Sequence, residues 1–150
     1  MEEYHYFVEG TAKAPTIDFN LLTGDLIFEG KSIPENAAKV YEPLLAVVNR
    51  YVKSPRLITN FRLNLQYFNS ASMLWLVRII KSLARIDVED SVLFIHIYLD
   101  HEDFDSFDTE EIREIILSLV DNLDQGRLSI AVKVHEIELG KVVKEATILL

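Results

Sequence analysis

The sequence predicts one α/β domain over residues 1–150: an N-terminal β-hairpin, then alternating helices and strands in a mixed sheet with helices mainly on one face. Three observations lead there. Two short apolar runs flank a turn near residue 22, helical and strand periods alternate after it, and two of the strands carry one polar face. With 49% hydrophobic residues in 150, the chain has enough apolar surface for one proper core.

The elements follow in order. Residues 1–14 have no clear period and read as a loose lead-in or an edge strand. Thr16-Ile17-Asp18-Phe19 and Leu26-Ile27-Phe28-Glu29 flank a turn ending in Thr23-Gly24, the pattern of a hairpin with a loop of four to six residues. Ser32 and Glu35 fit a capping box, with Pro34 inside the first helical turn. Ala37, Val40, Tyr41, Leu44, Leu45, Val48, Tyr51 and Val52 then recur at helical spacing, and Pro43 among them predicts a kink or local break. Ser54-Pro55 ends the helix. Residues 57–65 alternate, Leu57, Thr59, Phe61, Leu63 and Leu65 opposite Ile58, Asn60, Arg62 and Asn64; residues 128–134 do the same. Val92 to Leu99 is apolar nearly throughout, as a central strand is. Helices are predicted over about 70–86 and 109–124, the second opened by Thr109 and Glu110-Glu111 and followed by Gly126. Residues 136–150 leave room for one more strand, 142–149, after a turn at Gly140.

Charge and composition exclude several classes. A net charge of −9 and a pI near 4.9 argue against a nucleic-acid partner, which requires a basic footprint. Without cysteine there is no disulfide, thiolate nucleophile or thiolate metal site. Met1-Glu2-Glu3-Tyr4 lacks the basic-then-apolar pattern of a secretory signal. The one long apolar stretch, Met73 to Ile80, is broken by Arg78, short of a membrane span. The expectation is a cytoplasmic domain with no membrane insertion.

A search for catalytic chemistry returns nothing. His5, His96, His101 and His135 form no HExxH or other two-ligand spacing, and no serine sits in a GxSxG elbow. His96 alternates with Phe94 and Tyr98 and reads as ordinary packing. The acidic run from Asp100 to Asp108 lacks the glycine and terminal glutamate of an EF-hand loop and reads as a solvated connection. No glycine-rich phosphate loop exists. The expectation is a protein that is not an enzyme, with no cofactor and no metal.

More informative is Tyr67-Phe68-Asn69-Ser70-Ala71-Ser72, which joins a strand to a helix and makes Asn69 or Ser70 the N-cap. A cap alone accounts for these residue types. A hydroxyl at that place is also accessible, and a phosphate on it would meet free backbone N–H groups. On the helix, Met73, Leu76, Val77, Ile80, Leu83 and Ala84 form the expected core arc. Ser70, Leu74, Arg78, Lys81 and Arg85 form one stripe on the opposite edge, beside Trp75. Such a stripe is either a solvated face or a docking surface for an acidic or amphipathic partner.

These residues match a known family. Asp18-Phe19 and the run Thr23-Gly24-Asp25-Leu26-Ile27-Phe28-Glu29-Gly30-Lys31-Ser32-Ile33-Pro34-Glu35-Asn36 resemble the N-terminal signature of the SiaC-type regulatory phosphoproteins. Tyr41-Glu42-Pro43-Leu44-Leu45 also fits, which accounts for a proline that periodicity disfavours. Phe68-Asn69-Ser70-Ala71-Ser72 resembles the family's switch segment, with serine where threonine is usual. The resemblance covers about residues 15–99. It implies a fold like the STAS domains of anti-sigma-factor antagonists and a bacterial partner-switching system. It further implies a serine/threonine kinase, a PP2C-type phosphatase and a diguanylate cyclase bound by the unphosphorylated form. By position the phosphoacceptor is Ser70, and the partner-binding residues are Tyr67, Phe68, Asn69, Ser70, Leu74, Arg78, Lys81 and Arg85. The function expected is a phosphorylation-controlled protein-binding switch in cyclic-di-GMP signalling. The alternative is a constitutive scaffold of the same fold whose Ser70 is only a cap.

Overall fold

The computed structural model describes residues 4–120 and 127–150. Seven strands form one sheet in sequence order: β1 (His5–Val8), β2 (Thr16–Asn20), β3 (Asp25–Ser32), β4 (Ile58–Phe68), β5 (Val92–Leu99), β6 (Ser129–Glu138) and β7 (Lys141–Leu149). The central four are parallel, and antiparallel pairs flank them at both edges. Helix α1 (Ala37–Lys53) links β3 to β4 and α2 (Ser70–Leu83) links β4 to β5. Between β5 and β6 lie a short α3 (His101–Ser106) and α4 (Thr109–Val120). Each parallel step advances one strand in the same direction, so right-handed crossovers put the connecting helices on one face. The expected hairpin, alternation, one-sided cover and final strand are all present. Residues 5–8 of the lead-in are an edge strand. The predicted end of the last helix at 124, and Gly126 after it, lie outside the described residues.

The core is a set of in-register rows under the helices. Phe19, Leu26, Phe61, Ile95, Val132 and Ile148 are successive neighbours across six strands, and every one is buried. From above, Tyr41, Leu44, Val48 and Tyr51 of α1 and Leu76, Ile79 and Leu83 of α2 complete it. Phe28 packs edge-on against Phe61 at 5.5 Å and stacks on Tyr41 at 6.2 Å. The opposite sheet face carries Asn60, Arg62, His96, Lys133 and His135, the polar half of the alternation, and among the described residues no helix lies over it.

Several local expectations are corrected. Ser32 and Glu35 make no capping box, because Asn36 is the N-cap and accepts from the Lys39 amide at 3.3 Å. Ser32 instead ends β3, buried, and Pro34 precedes the helix. Pro43 does not break α1, which continues to Lys53; Pro43 and Lys39 are both exposed, so the carbonyl that proline leaves unbonded can turn to water. Leu57 is exposed and precedes β4, which runs on to Phe68. The cap of α4 is Asp108, not Thr109: its carboxylate accepts from the amides of Glu110 (2.9 Å) and Glu111 (3.3 Å). Part of the acidic connection is helical, since Asp100 caps α3 by accepting from Asp103 N–H at 2.8 Å.

Gly24 closes the β2–β3 turn at φ +79°, the left-handed region. A Cβ there would lie 2.5 Å from the Ile58 carbonyl and 2.8 Å from the Tyr51 hydroxyl. Gly24→Ala is therefore expected to cost about 2–3 kcal/mol, from strain and from displacing the Gly24 carbonyl that accepts from Asn60 N–H at 2.8 Å. Urea titration of both proteins checks it, and an unchanged midpoint would refute the assignment of strain.

Candidate functional site

One residue, Asn69, separates strand β4 from helix α2. Its side chain accepts from Ser72 N–H at 2.9 Å and its carbonyl accepts the first helical bond, from Met73 N–H at 3.0 Å. Asn69 is thus the N-cap, and Ser70 is the first helical residue, exposed. The amides of Ser70 and Ala71 precede that first bond, so their donors point out of the helix start. This is the place where an anion on the Ser70 hydroxyl gains most from backbone dipoles.

Ser72, two residues on, is 0% exposed. Its hydroxyl donates to the Ser32 carbonyl at 2.9 Å and lies 2.7 Å from the Ser32 hydroxyl, which is 2.6 Å from the Tyr41 hydroxyl. Burial pushes the Tyr41 phenol up from its ordinary pKa, against the lowering effect of these hydrogen bonds. The network ties the start of α2 to the end of β3 and to α1. It also removes Ser72 from the reach of any modifying enzyme. Ser72→Ala takes the acceptor from the buried Ser32 hydroxyl and one of two donors from the Ser32 carbonyl, which keeps the Asn69 amide at 2.9 Å, and is expected to cost about 1–3 kcal/mol. Thermal unfolding measures it; a variant as stable as the parent would show the network to be dispensable.

Around Ser70 the surface is apolar. Tyr67 and Leu74 are 63% and 61% exposed, Phe68 and Met73 are exposed beside them in sequence, and exposed Ile33 directly follows Ser32, the β3 partner of Phe68. Met73 is a correction: the core arc of α2 contains Ser72 and Ile79 instead, because the cap geometry turns the helix so that Ser72 faces β3. Val77 is half-buried; Leu76, Ile80, Leu83 and Ala84 lie in the core as expected. The stripe Ser70, Leu74, Arg78, Lys81 and Arg85 is exposed throughout, and the Arg78 guanidinium sits 4.5 Å from the centre of the Trp75 ring. Of the predicted partner-binding residues, Asn69 alone is mostly occupied internally. Met73 and Ile33 are further exposed apolar residues that helical periodicity and a capping-box reading concealed.

Two histidine clusters lie elsewhere. On the open sheet face His96, 4% exposed, has Nε2 2.7 Å from Asn60 Oδ1 and Nδ1 2.9 Å from His135 Nε2. The two imidazoles and Tyr98 stack with centroids 4.6–6.4 Å apart. Desolvation first, then the Arg62 charge, lowers the His96 pKa to about 3; desolvation also lowers that of His135. His135 Nδ1 lies 3.3 Å from the Glu145 carboxylate, too poorly aligned for a hydrogen bond. His96 is therefore more than a packing residue: it is half of a neutral hydrogen-bonded pair, visible only once β5 and β6 are set in register. The other cluster is His101, 3.1 Å from buried Glu136 and 3.2 Å from Asp105. Its hydrogen bond to Glu136 raises its pKa. Among the described residues these three bring donor atoms within 4.8 Å of one another. Both ring nitrogens already face carboxylates, so a proton satisfies the arrangement without an ion.

Comparison with known proteins agrees with this fold. The profile of the SiaC family of regulatory phosphoproteins matches residues 8–125. Among solved structures, SiaC of Pseudomonas aeruginosa is 22% identical and superposes with a TM-score of 0.63 over 74% of this chain and 90% of that one. Apo-SiaC from the same organism is 21% identical, with a TM-score of 0.64 over 84% of this chain and 97% of that one. A chain in the crystal structure of diguanylate cyclase SiaD in complex with its activator SiaC, also from P. aeruginosa, is 19% identical, with a TM-score of 0.64 over 87% of this chain and 99% of that one. Comparison with curated proteins finds no match. Among the described residues no helix is long and apolar enough to cross a membrane.

Proposed function

Because the chain belongs to the SiaC family of regulatory phosphoproteins, we propose that it is a phosphorylation-controlled binding switch. Ser70 is the acceptor, and the unphosphorylated form binds and regulates a diguanylate cyclase. The observation that carries this reading is the contrast at the start of α2, where Ser70 is exposed within an apolar surface and Ser72 is fully buried. Tyr67, Phe68, Ser70 and Leu74 form the centre of the partner surface, and Arg78, Lys81 and Arg85 its basic flank. Asn69 holds the switch segment in place. The partners are that cyclase, a serine/threonine kinase and a PP2C-type phosphatase, in the cytoplasm, and the chain has no catalysis of its own. The P. aeruginosa complex of SiaC with SiaD supports the class of partner.

The test is phosphopeptide mapping of protein isolated from its own cells, beside capture of partners by wild type and Ser70→Ala. Phosphate on Ser70, and a cyclase retained by both unphosphorylated proteins, are the expected results. Phosphate elsewhere overturns the assignment of Ser70. A partner set indifferent to phosphorylation would make the chain a constitutive scaffold.

A further inference from the structure

On the uncovered sheet face a chain of four side chains crosses from β4 to β7. Asn60 Oδ1 lies 2.7 Å from His96 Nε2, His96 Nδ1 lies 2.9 Å from His135 Nε2, and His135 Nδ1 lies 3.3 Å from the Glu145 carboxylate. We propose that these side chains form a one-proton switch: uptake of a single proton reverses the first two hydrogen bonds and charges His135 against Glu145. The switch is separate from Ser70, which lies on α2 at the other face of the sheet.

The two states follow from what each atom can do. Carbonyl and carboxylate oxygens only accept, and a neutral imidazole has one donor and one acceptor. With Asn60 Oδ1 turned to His96, the His96 Nε2 has to donate, so its Nδ1 accepts and His135 Nε2 donates. A neutral His135 then turns a lone pair toward the Glu145 carboxylate. Among the described residues His135 Nδ1 is the buried side-chain atom without a hydrogen bond. A proton there completes the chain as an imidazolium–carboxylate pair. Without that proton the chain is complete only in the other direction. A half-turn of the Asn60 amide lets its Nδ2 donate to His96 Nε2, His96 Nδ1 donates to His135 Nε2, and His135 Nδ1 donates to Glu145. Between the states His96 exchanges its hydrogen from Nδ1 to Nε2 and His135 gains one, so the balance is one proton from solvent.

Strand register decides which ring takes the charge. His96 sits between Arg62 of β4 and Lys133 of β6 in one cross-strand row, and two cations oppose a third. His135 sits in the next row between Tyr98 of β5 and Glu145 of β7. Lys133 Nζ, 3.6 Å from the other Glu145 oxygen, holds that carboxylate in place, while Arg62 is turned to the Tyr98 hydroxyl at 3.0 Å and to Asp25 at 3.7 Å. Burial lowers the pKa of both rings below the ordinary 6.5, that of His96 to about 3, and Glu145 counters the effect at His135. The switch therefore operates on the acid side of 6.5, with His96 neutral throughout.

The test is nuclear magnetic resonance of the 15N-labelled full chain between pH 7.5 and 4.5, following the ring nitrogens and the Asn60 side-chain amide, with backbone spectra reporting the fold. At pH 7.5 both rings are expected to carry their hydrogen on Nδ1. As pH falls His135 should gain a second ring hydrogen, His96 should move its own to Nε2 without charging, and the Asn60 amide should shift at the same midpoint. Glu145→Gln, at an exposed position that tolerates the change, is expected to lower that midpoint by about one pH unit. First protonation of His96, hydrogen on His96 Nε2 already at pH 7.5, a midpoint unchanged in Glu145→Gln, or unfolding before either ring titrates would overturn the proposal.

Discussion

Phosphorylating Ser70 is expected to weaken binding of the protein partner by a factor in the hundreds or more, while the melting temperature stays level or rises slightly. Two terms of opposite sign decide this. Within the domain, nearly two added negative charges meet the outward-pointing amides of Ser70 and Ala71 and the positive end of the α2 dipole. That is favourable by roughly 0.3–2 kcal/mol. At the interface the same charge has to be desolvated among Tyr67, Phe68 and Leu74, or left unpaired, which costs on the order of 3–5 kcal/mol. The nearest cation of the stripe, Arg78, is about 12 Å away along the axis and is engaged with the Trp75 ring, so it does little to offset the loss. The interface term is larger, and the switch acts by blocking a surface. Calorimetric affinity and melting temperature, measured on phosphorylated and plain protein together, distinguish the possibilities. Loss of binding with a large drop in melting temperature would mean that the switch works by unfolding.

Acid should destabilise the domain well before its carboxylates titrate. The sign follows from His96, whose folded pKa is lowered to about 3 from an ordinary 6.5. Its contribution to stability is present above 6.5; as pH falls below that value the unfolded chain takes up a proton that the folded chain refuses, and the contribution shrinks until pH approaches 3. At pH 5 the full shift corresponds to about 2 kcal/mol, and with water near the uncovered sheet face about 1–2 kcal/mol is expected. His135, lowered in the same direction, adds to the loss. His101 works the other way: its raised pKa gives a contribution present in acid and lost at higher pH, small because the ring is exposed. Asp87, lowered from 3.8 chiefly by the Arg127 backbone amide, acts only below that value and leaves the window clear. Urea unfolding of wild type and His96→Gln at pH 7.5 and 5.0 measures the difference. A wild type equally stable at both values, or a variant with the same pH slope, would exclude the histidine pair as its cause.

Much of this molecule is legible in the chain itself. Alternation at 57–65 and 128–134 and the apolar run at 92–99 place the parallel strands, because a period of two leaves one face dry; Leu57 falls outside its strand. Helical spacing from Ala37 to Val52 places α1, and right-handed crossovers then put the helices on one side. The motif Phe68-Asn69-Ser70 marks the start of α2 and, through family resemblance, the candidate acceptor. What periodicity leaves undetermined are choices that depend on neighbours distant in sequence. Ser32 has the composition of a cap, yet its hydroxyl is claimed by Tyr41 and Ser72, 9 and 40 residues away, and Asn36 caps instead. In the same network the Ser72 hydroxyl donates to the Ser32 carbonyl, and α2 is set with Ser72 buried and Met73 exposed, so the contrast between the two serines is tertiary in origin. His96 and His135, 39 residues apart, meet only because β5 and β6 pair in one particular register. Local sequence decides which backbone each segment prefers, since that depends on near neighbours; the partners of a buried hydroxyl or imidazole are decided by packing, which brings distant residues within 3 Å of one another.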